Sequence, residues 1–166
     1  MKNENNVIFW HGRVTVEGRP SNFITRDKFD TGSQEVRFYL IGETFRSLFL
    51  NGAGKVEKPS LEQVLRYGSV TMNSPASLFS EFADKPETVT LADLWALLKR
   101  QPKGGEGKIL TNGRQTFFSI RDEENGDCLV WAYFTEAGWI IDASIAEERL
   151  KPFIAGCRFF TLQNVA

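Results

Sequence analysis

The chain holds one histidine and two cysteines, carries almost no net charge, and has no apolar run long enough to cross a bilayer. Each scarcity removes a class of function. His11, Cys128 and Cys157 are too few and too scattered for a zinc set, so no metal is expected. Any mechanism that needs an imidazole must use His11. The two cysteines each sit in an apolar, strand-like run and read as buried thiols, with a disulfide between them as the other option. A net charge of −1, spread almost evenly along the chain, argues against a broad phosphate-binding surface, although a local patch would survive this test. Nothing after Met1–Asn6 resembles the apolar core of a signal peptide, so the expectation is a cytoplasmic protein with no membrane segment.

Aromatic rings are plentiful: 14 Phe, 4 Trp and 3 Tyr in 166 residues, enough to furnish a core and leave some rings for a surface. At this length one domain, 1–166, can bury a sizeable core without disulfide or metal. The stretch from Lys108 to Ala143 reads as strands folded back and forth. Asn112-Gly113 carries the chemistry of a tight hairpin turn, Asn125-Gly126 repeats it in a longer turn, and Thr135 to Gly138 supplies a third. In the middle run, Cys128, Val130, Ala132 and Phe134 alternate with Leu129, Trp131 and Tyr133, so both faces are apolar. Such a strand is covered on both sides or lines a groove with one of them. The covered arrangement is the expectation, because the chain has helices enough to do it.

Upstream, residues 7–16 read as a strand with a bulge or close backbone approach at Gly12, and Val36 to Ile41 as a second. A helical insert is expected over 43–101. It would comprise a short helix from Glu43 to Asn51, one opened by a Ser60 to Gln63 capping box, one opened by Ser74-Pro75 and one capped by Thr90. A flexible basic loop follows from Lys99 to Lys108. A late helix from Ser144 to Pro152 and a last strand over Cys157 to Gln163 complete the chain. Strands, a helical insert and strands again predict an α+β fold: a mostly antiparallel sheet of five to seven strands, with a C-terminal meander, against four or five short helices.

No motif specifies a reaction. Lys103 to Lys108 lacks the first glycine and the final hydroxyl residue of a nucleotide-cradling loop, where Pro102 and Ile109 stand. Asp122 to Asp127 lacks the ligand order of a calcium loop and reads as a solvated hairpin tip. Asp142 alternates with Ile140 and reads as a helix or loop anchor for the late helix. Trp10-His11-Gly12-Arg13 at a strand end, with Tyr39 in a second strand, resembles the His and Tyr positions of H-Y-E type ADP-ribosyltransferases, although Arg13 stands where that family has a small hydroxyl residue. The resemblance implies an NAD-dependent enzyme in which His11 binds the nicotinamide-side ribose and Tyr39 stacks on nicotinamide. Glu136 is the candidate third member.

The leading expectation is a small binding module, an inhibitor, adaptor or immunity-like protein, that needs no cofactor and works through a protein partner or a second copy of itself. Its surface would use Trp131, Tyr133 and Trp139, with Trp10 as a further exposed-aromatic candidate. The NAD-dependent enzyme is the alternative from a different class. A third reading, nucleic-acid binding, would use Lys99, Arg100, Lys103 and Lys108. Which side of the Trp131 strand the helices leave open separates these readings.

Overall fold

The computed structural model describes residues 7–82, 88–145 and 150–163. The described elements, in chain order, are β1 (Ile8–Val16), β2 (Phe23–Ile24), α1 (Thr25–Lys28), β3 (Phe38–Ile41) and α2 (Glu43–Phe45), which runs into a π-helical turn (Arg46–Leu50). Next come β4 (Val56–Glu57), β5 (Gln63–Val70), α3 (Pro75–Phe82) and α4 (Leu91–Lys99). The chain ends with β6 (Thr116–Asp122), β7 (Gly126–Thr135), β8 (Gly138–Ser144) and β9 (Arg158–Leu162).

Seven strands form one sheet in the order β1-β5-β9-β6-β7-β8-β3, and β2 and β4 pair separately. The fold is α+β, as the sequence pattern predicts, and β6-β7-β8 is the expected meander. The sheet is mixed, however: β3 runs parallel to β8, and β9 runs parallel to β6 while pairing antiparallel with β5. Turn chemistry explains the meander. Gly126 takes φ 80°, a left-handed value that an L side chain would resist, at the tip between β6 and β7. Asp122 accepts from the backbone and side-chain amides of Asn125 at 2.8 and 2.7 Å and closes the same tip.

Several local expectations give way to tertiary structure. The Ser60–Gln63 capping box opens no helix, and the insert expected to be helical contains β5, a strand paired on both sides. Its Val64, Leu65, Tyr67 and Val70 suit a pleated surface, and two ladders outweigh one local cap. A side chain at Gly68 would overlap the Phe9 carbonyl, which is the close approach of β1 that the pairing requires. Asn112-Gly113 does turn, with Gly113 at φ 83°, but joins no hairpin. The chain before it is held instead by side chains, Leu110 N–H donating to Thr116 Oγ1 and Ile109 to Gln101 Oε1, both at 3.0 Å. In β3 the register shifts between Phe38 and Leu40, so Phe38 and Ile41 are buried while Tyr39 and Leu40 are exposed, replacing the simple alternation expected over 36–41. Ser144 is the last residue of β8 and the described residues 145 and 150–152 are not helical, while 146–149 of the late helix expected from Ser144 lie outside the described residues.

Two apolar layers flank the sheet. On the first face, Phe45, Phe49, Leu91, Leu94, Trp95 and Leu98 pack on Leu65, Phe118, Cys128, Val130, Ala132, Ile141 and Phe160. Phe29 is the hub of this layer, with ring centroids 5.1 Å from Phe45 and 5.6 Å from Trp95. On the second face, Leu78 and Phe82 of α3, with Leu150, Ile154 and Cys157, cover Ile8, Val70, Phe117, Leu129 and Phe159. Cys128 and Cys157 are free thiols in different layers, so no disulfide links them.

Helix α4 is held at its start by two sets of acceptors. Thr90 and Asp93 form the reciprocal capping box, and Glu57 from β4 accepts from the Leu91 and Ala92 amides, each at 2.9 Å. Glu57 is buried and has Arg19 and Lys55 each 3.9 Å away. Burial pushes the Asp93 carboxyl above its ordinary range, against the hydrogen bonds from Thr90 and the Arg19 charge. Among the described residues, no helix is long and apolar enough to cross a membrane.

Candidate functional site

Among the described residues, the second face of the sheet is covered over β5, β9 and β6 and less fully covered toward β3, where Leu40 is exposed and Asp142 of β8 half-buried while Ile140 stays buried. Along β7 the side chains on this face pass from buried Leu129 to half-buried Trp131 and Tyr133. Ile140 and Asp142 of β8 and Leu40 of β3, which is 50% exposed, continue the floor outward. The wall opposite is made by Gly113, Arg114 and Gln115 and by Lys151, Phe153 and Cys157. Together they enclose a groove of about 450 Å³. Phe153, 81% exposed at its mouth, is a large ring held in solvent. The groove therefore has an apolar, aromatic floor and two cations, Arg114 and Lys151, at its rim. Arg114 Nη1 is fixed by a 2.8 Å bond to the Ala155 carbonyl.

Asp142 brings a carboxylate to this floor, but its Oδ1 accepts from Phe45 N–H at 3.2 Å and Ala143 N–H at 2.9 Å. Gly42 is the N-cap of α2 and has no side chain to accept a helical amide; Asp142, from a strand a hundred residues on, occupies that place. The expected anchor role is correct in kind, but the helix it serves is α2.

Trp131 and Tyr133 line the groove as a pair from one strand. Trp139 does not join them. It is fully buried on the first face, with its Nε1–H donating to the Gln101 carbonyl at 2.8 Å, and so is not the surface residue expected from the sequence. Trp10 is half-buried beneath the Arg66 guanidinium, 3.9 Å from its ring centroid. Leu40, Ile140, Phe153, Arg114 and Lys151 are among the groove residues that sequence reasoning missed. Only Phe153 carried a signal, as a large ring directly after Pro152 in a polar segment.

The basic stretch is not a mobile tether. Buried Gln101 donates to the Gly105 and Ile109 carbonyls, each at 3.0 Å, and folds the loop around itself. Lys99, Arg100, Lys103 and Lys108 are all exposed. Arg100 is bonded to the Thr15 carbonyl at 2.7 Å, while the Lys108 Nζ lies over Tyr67 of β5, 5.3 Å from its ring centroid.

His11 and Tyr39, paired by the ADP-ribosyltransferase resemblance, stand on β1 and β3 at opposite edges of the seven-stranded sheet. Six strand spacings put them about 29 Å apart, so they share no cleft. His11 is exposed and bonded to Ser69 Oγ at 2.6 Å, and Glu136 is exposed in the β7–β8 turn. The structure does not bring these three together. By architecture the protein is an α+β domain built on a mixed sheet with one partly uncovered face. Searches against family models, curated proteins and solved structures found no match to the chain.

Proposed function

We propose that this protein is a small binding module that docks a segment of another protein in the groove over β7, β8 and β3. The observation that carries this reading is the groove on the second face whose floor holds half-buried Trp131 and Tyr133, buried Ile140 and exposed Leu40. Aromatic anchors in a partly desolvated depression are the residue types that dominate binding energy at protein interfaces. The partner segment is expected to present one large apolar side chain to the floor. Next to it an acidic residue would face Arg114 and Lys151.

The test is selection of displayed random peptides against the intact protein. Enrichment of an aromatic or aliphatic residue adjacent to Asp or Glu is expected, with competition between the selected peptides for one site. Phe153→Asp and Leu40→Asp alter exposed residues; with thermal unfolding confirming that each variant folds, each should weaken the selected peptides by roughly tenfold or more. Selected peptides that bind both variants as tightly as the parent would overturn the reading. A concentration-dependent dimer abolished by the same two substitutions would instead identify a second copy as the occupant.

A further inference from the structure

We propose that Lys108, Arg158, Tyr67, His11 and Ser69 form a second binding site, on the first face at the β1-β5-β9 end of the sheet, for the phosphate group of a small phosphorylated ligand. This site rests on residues separate from the groove. Tyr67 lies in β5 and Arg158 in β9, and the register of the two strands places Arg158 opposite Ser69, with Phe160 opposite Tyr67. The Arg158 guanidinium carbon sits 5.2 Å from the Tyr67 ring centroid, and the Lys108 Nζ sits 5.3 Å from the same centroid. Two cations thus converge on one ring.

Among the described residues, no ion pair joins either of them to a carboxylate. Arg158 is half-buried and is positioned by a 2.7 Å bond from Nη1 to the Lys108 carbonyl. Its Nε is buried and has no hydrogen-bond partner among the described residues. Arg19 and Arg66 share that buried, unpartnered Nε, so the case for a ligand rests on the convergence of the two cations, and an oxyanion supplies acceptors for a planar guanidinium fork. Burial lowers the Arg158 basicity from its ordinary value, with Tyr67 acting in the opposite sense.

The remaining groups suit the same ligand. The β1 register shifts between Trp10 and Gly12, which makes His11 the extra residue of a bulge and sets it beside Tyr67, with ring centroids 6.4 Å apart. Gly12 carries no side chain at the point where the Tyr67 hydroxyl comes closest to β1; an added Cβ would lie 3.2 Å from that oxygen. The His11–Ser69 pair offers a polar contact next to the cations. Phe9, 64% exposed and edge-on to His11 at 5.4 Å, offers a ring on which a flat group attached to the phosphate could stack.

The experiment is an NMR titration of the full chain with inorganic phosphate, pyrophosphate and adenosine monophosphate, reading the Arg158 Nε–H, the Tyr67 ring and the His11 ring. Saturable shifts of the Arg158 and Tyr67 signals are expected with pyrophosphate. Lys108→Ala, at an exposed position, should weaken binding by roughly fivefold or more without changing thermal unfolding, and Arg158→Lys, which keeps the charge but loses the bond to the Lys108 carbonyl, should also weaken binding by roughly fivefold or more. Lys103→Ala should leave it unchanged. If adenosine monophosphate binds more tightly and also moves Phe9, the ligand is a phosphate ester carrying a ring; equal affinity assigns the site to the phosphate alone. The proposal is overturned if none of the three anions saturates the signals by ~10 mM. It also fails if binding survives both substitutions, or if only an oligonucleotide binds.

Discussion

Replacing Gly42 by serine would place a side chain in the space that the Asp142 carboxylate fills at the start of α2. The backbone at Gly42 is extended, with φ −68° and ψ 160°, so serine is conformationally acceptable there and any penalty comes from the overlap. Serine must displace Asp142, which loses the Phe45 and Ala143 bonds, and must crowd a packed junction. Loss of a cap costs about 1 kcal/mol and overpacking about 1–3 kcal/mol, so Gly42→Ser alone should destabilise by about 2 kcal/mol even after its own hydroxyl caps the helix. Asp142→Ala alone should cost about 1 kcal/mol. In the double variant the alanine leaves room, the introduced serine becomes the cap, and stability should return to within about 1 kcal/mol of the parent, a coupling of about 2 kcal/mol. Urea unfolding reads this directly: with a slope near 2 kcal/mol/M, the Gly42→Ser midpoint falls by about 1 M and the second substitution restores most of it. A double variant as unstable as the sum of the single ones would refute the shared-cap geometry.

Two further outcomes follow from buried groups. Glu57→Ala removes both acceptors at the start of α4 and leaves Arg19 and Lys55 without their shared carboxylate, so a loss of about 3 kcal/mol is expected in the same urea assay. A loss under about 0.5 kcal/mol would show that the capping box alone holds that helix end. Burial pushes the Cys128 thiol up to about 12, with Asp122 and Asp127 adding to the shift and Lys55 opposing it. Because the folded thiol holds its proton more tightly than the unfolded one, this contribution is fully present below the ordinary value of 9.0 and is lost as pH rises toward 12. Unfolding experiments above pH 9 should show a slope of up to about 1.4 kcal/mol per pH unit that Cys128→Ala flattens, and a slope unchanged by that substitution would contradict the burial. Thiol reagents should leave Cys128 untouched until urea unfolds the chain.

How much of this was legible depends on the range of the interaction that decides each feature. Short-range chemistry read correctly: the Asn125-Gly126 tip, the Thr90 cap, Pro75 at the head of α3 and the irregularity of β1 near Gly12 all appear in the fold. The Ser60 box failed because pairing of β5 with both β1 and β9, remote in sequence, outweighs a local cap. Asp142 could be recognised as an anchor from its alternation with Ile140, but its target lies ninety-seven positions back, a distance no local pattern encodes. The same limit governs the sites. Trp131 and Tyr133 stand out by their type and period, though the sequence pattern predicts a covered strand, whereas Leu40 and Phe153 come to line the same groove only through the parallel β3–β8 pairing and the return of the 150–157 segment. His11 and Tyr39 look like partners in one dimension and lie at opposite edges in three.

The position of β9 bears on how the protein is made. It lies between β5 and β6 in the sheet, yet a ribosome delivers it after both. Until it emerges, the β1–β5 ribbon and the β6–β7–β8 meander are two unjoined pieces, each with a naked backbone edge facing the gap. Synthesis at about 5–20 residues per second leaves those edges unpaired for several seconds after β6 appears, and closure must then wait for non-local contacts that form slowly. The nascent chain, more than the finished one, is the form in which this sequence is most exposed to aggregation, and a chaperone that shields the β5 and β6 edges would have its largest effect on yield rather than on stability.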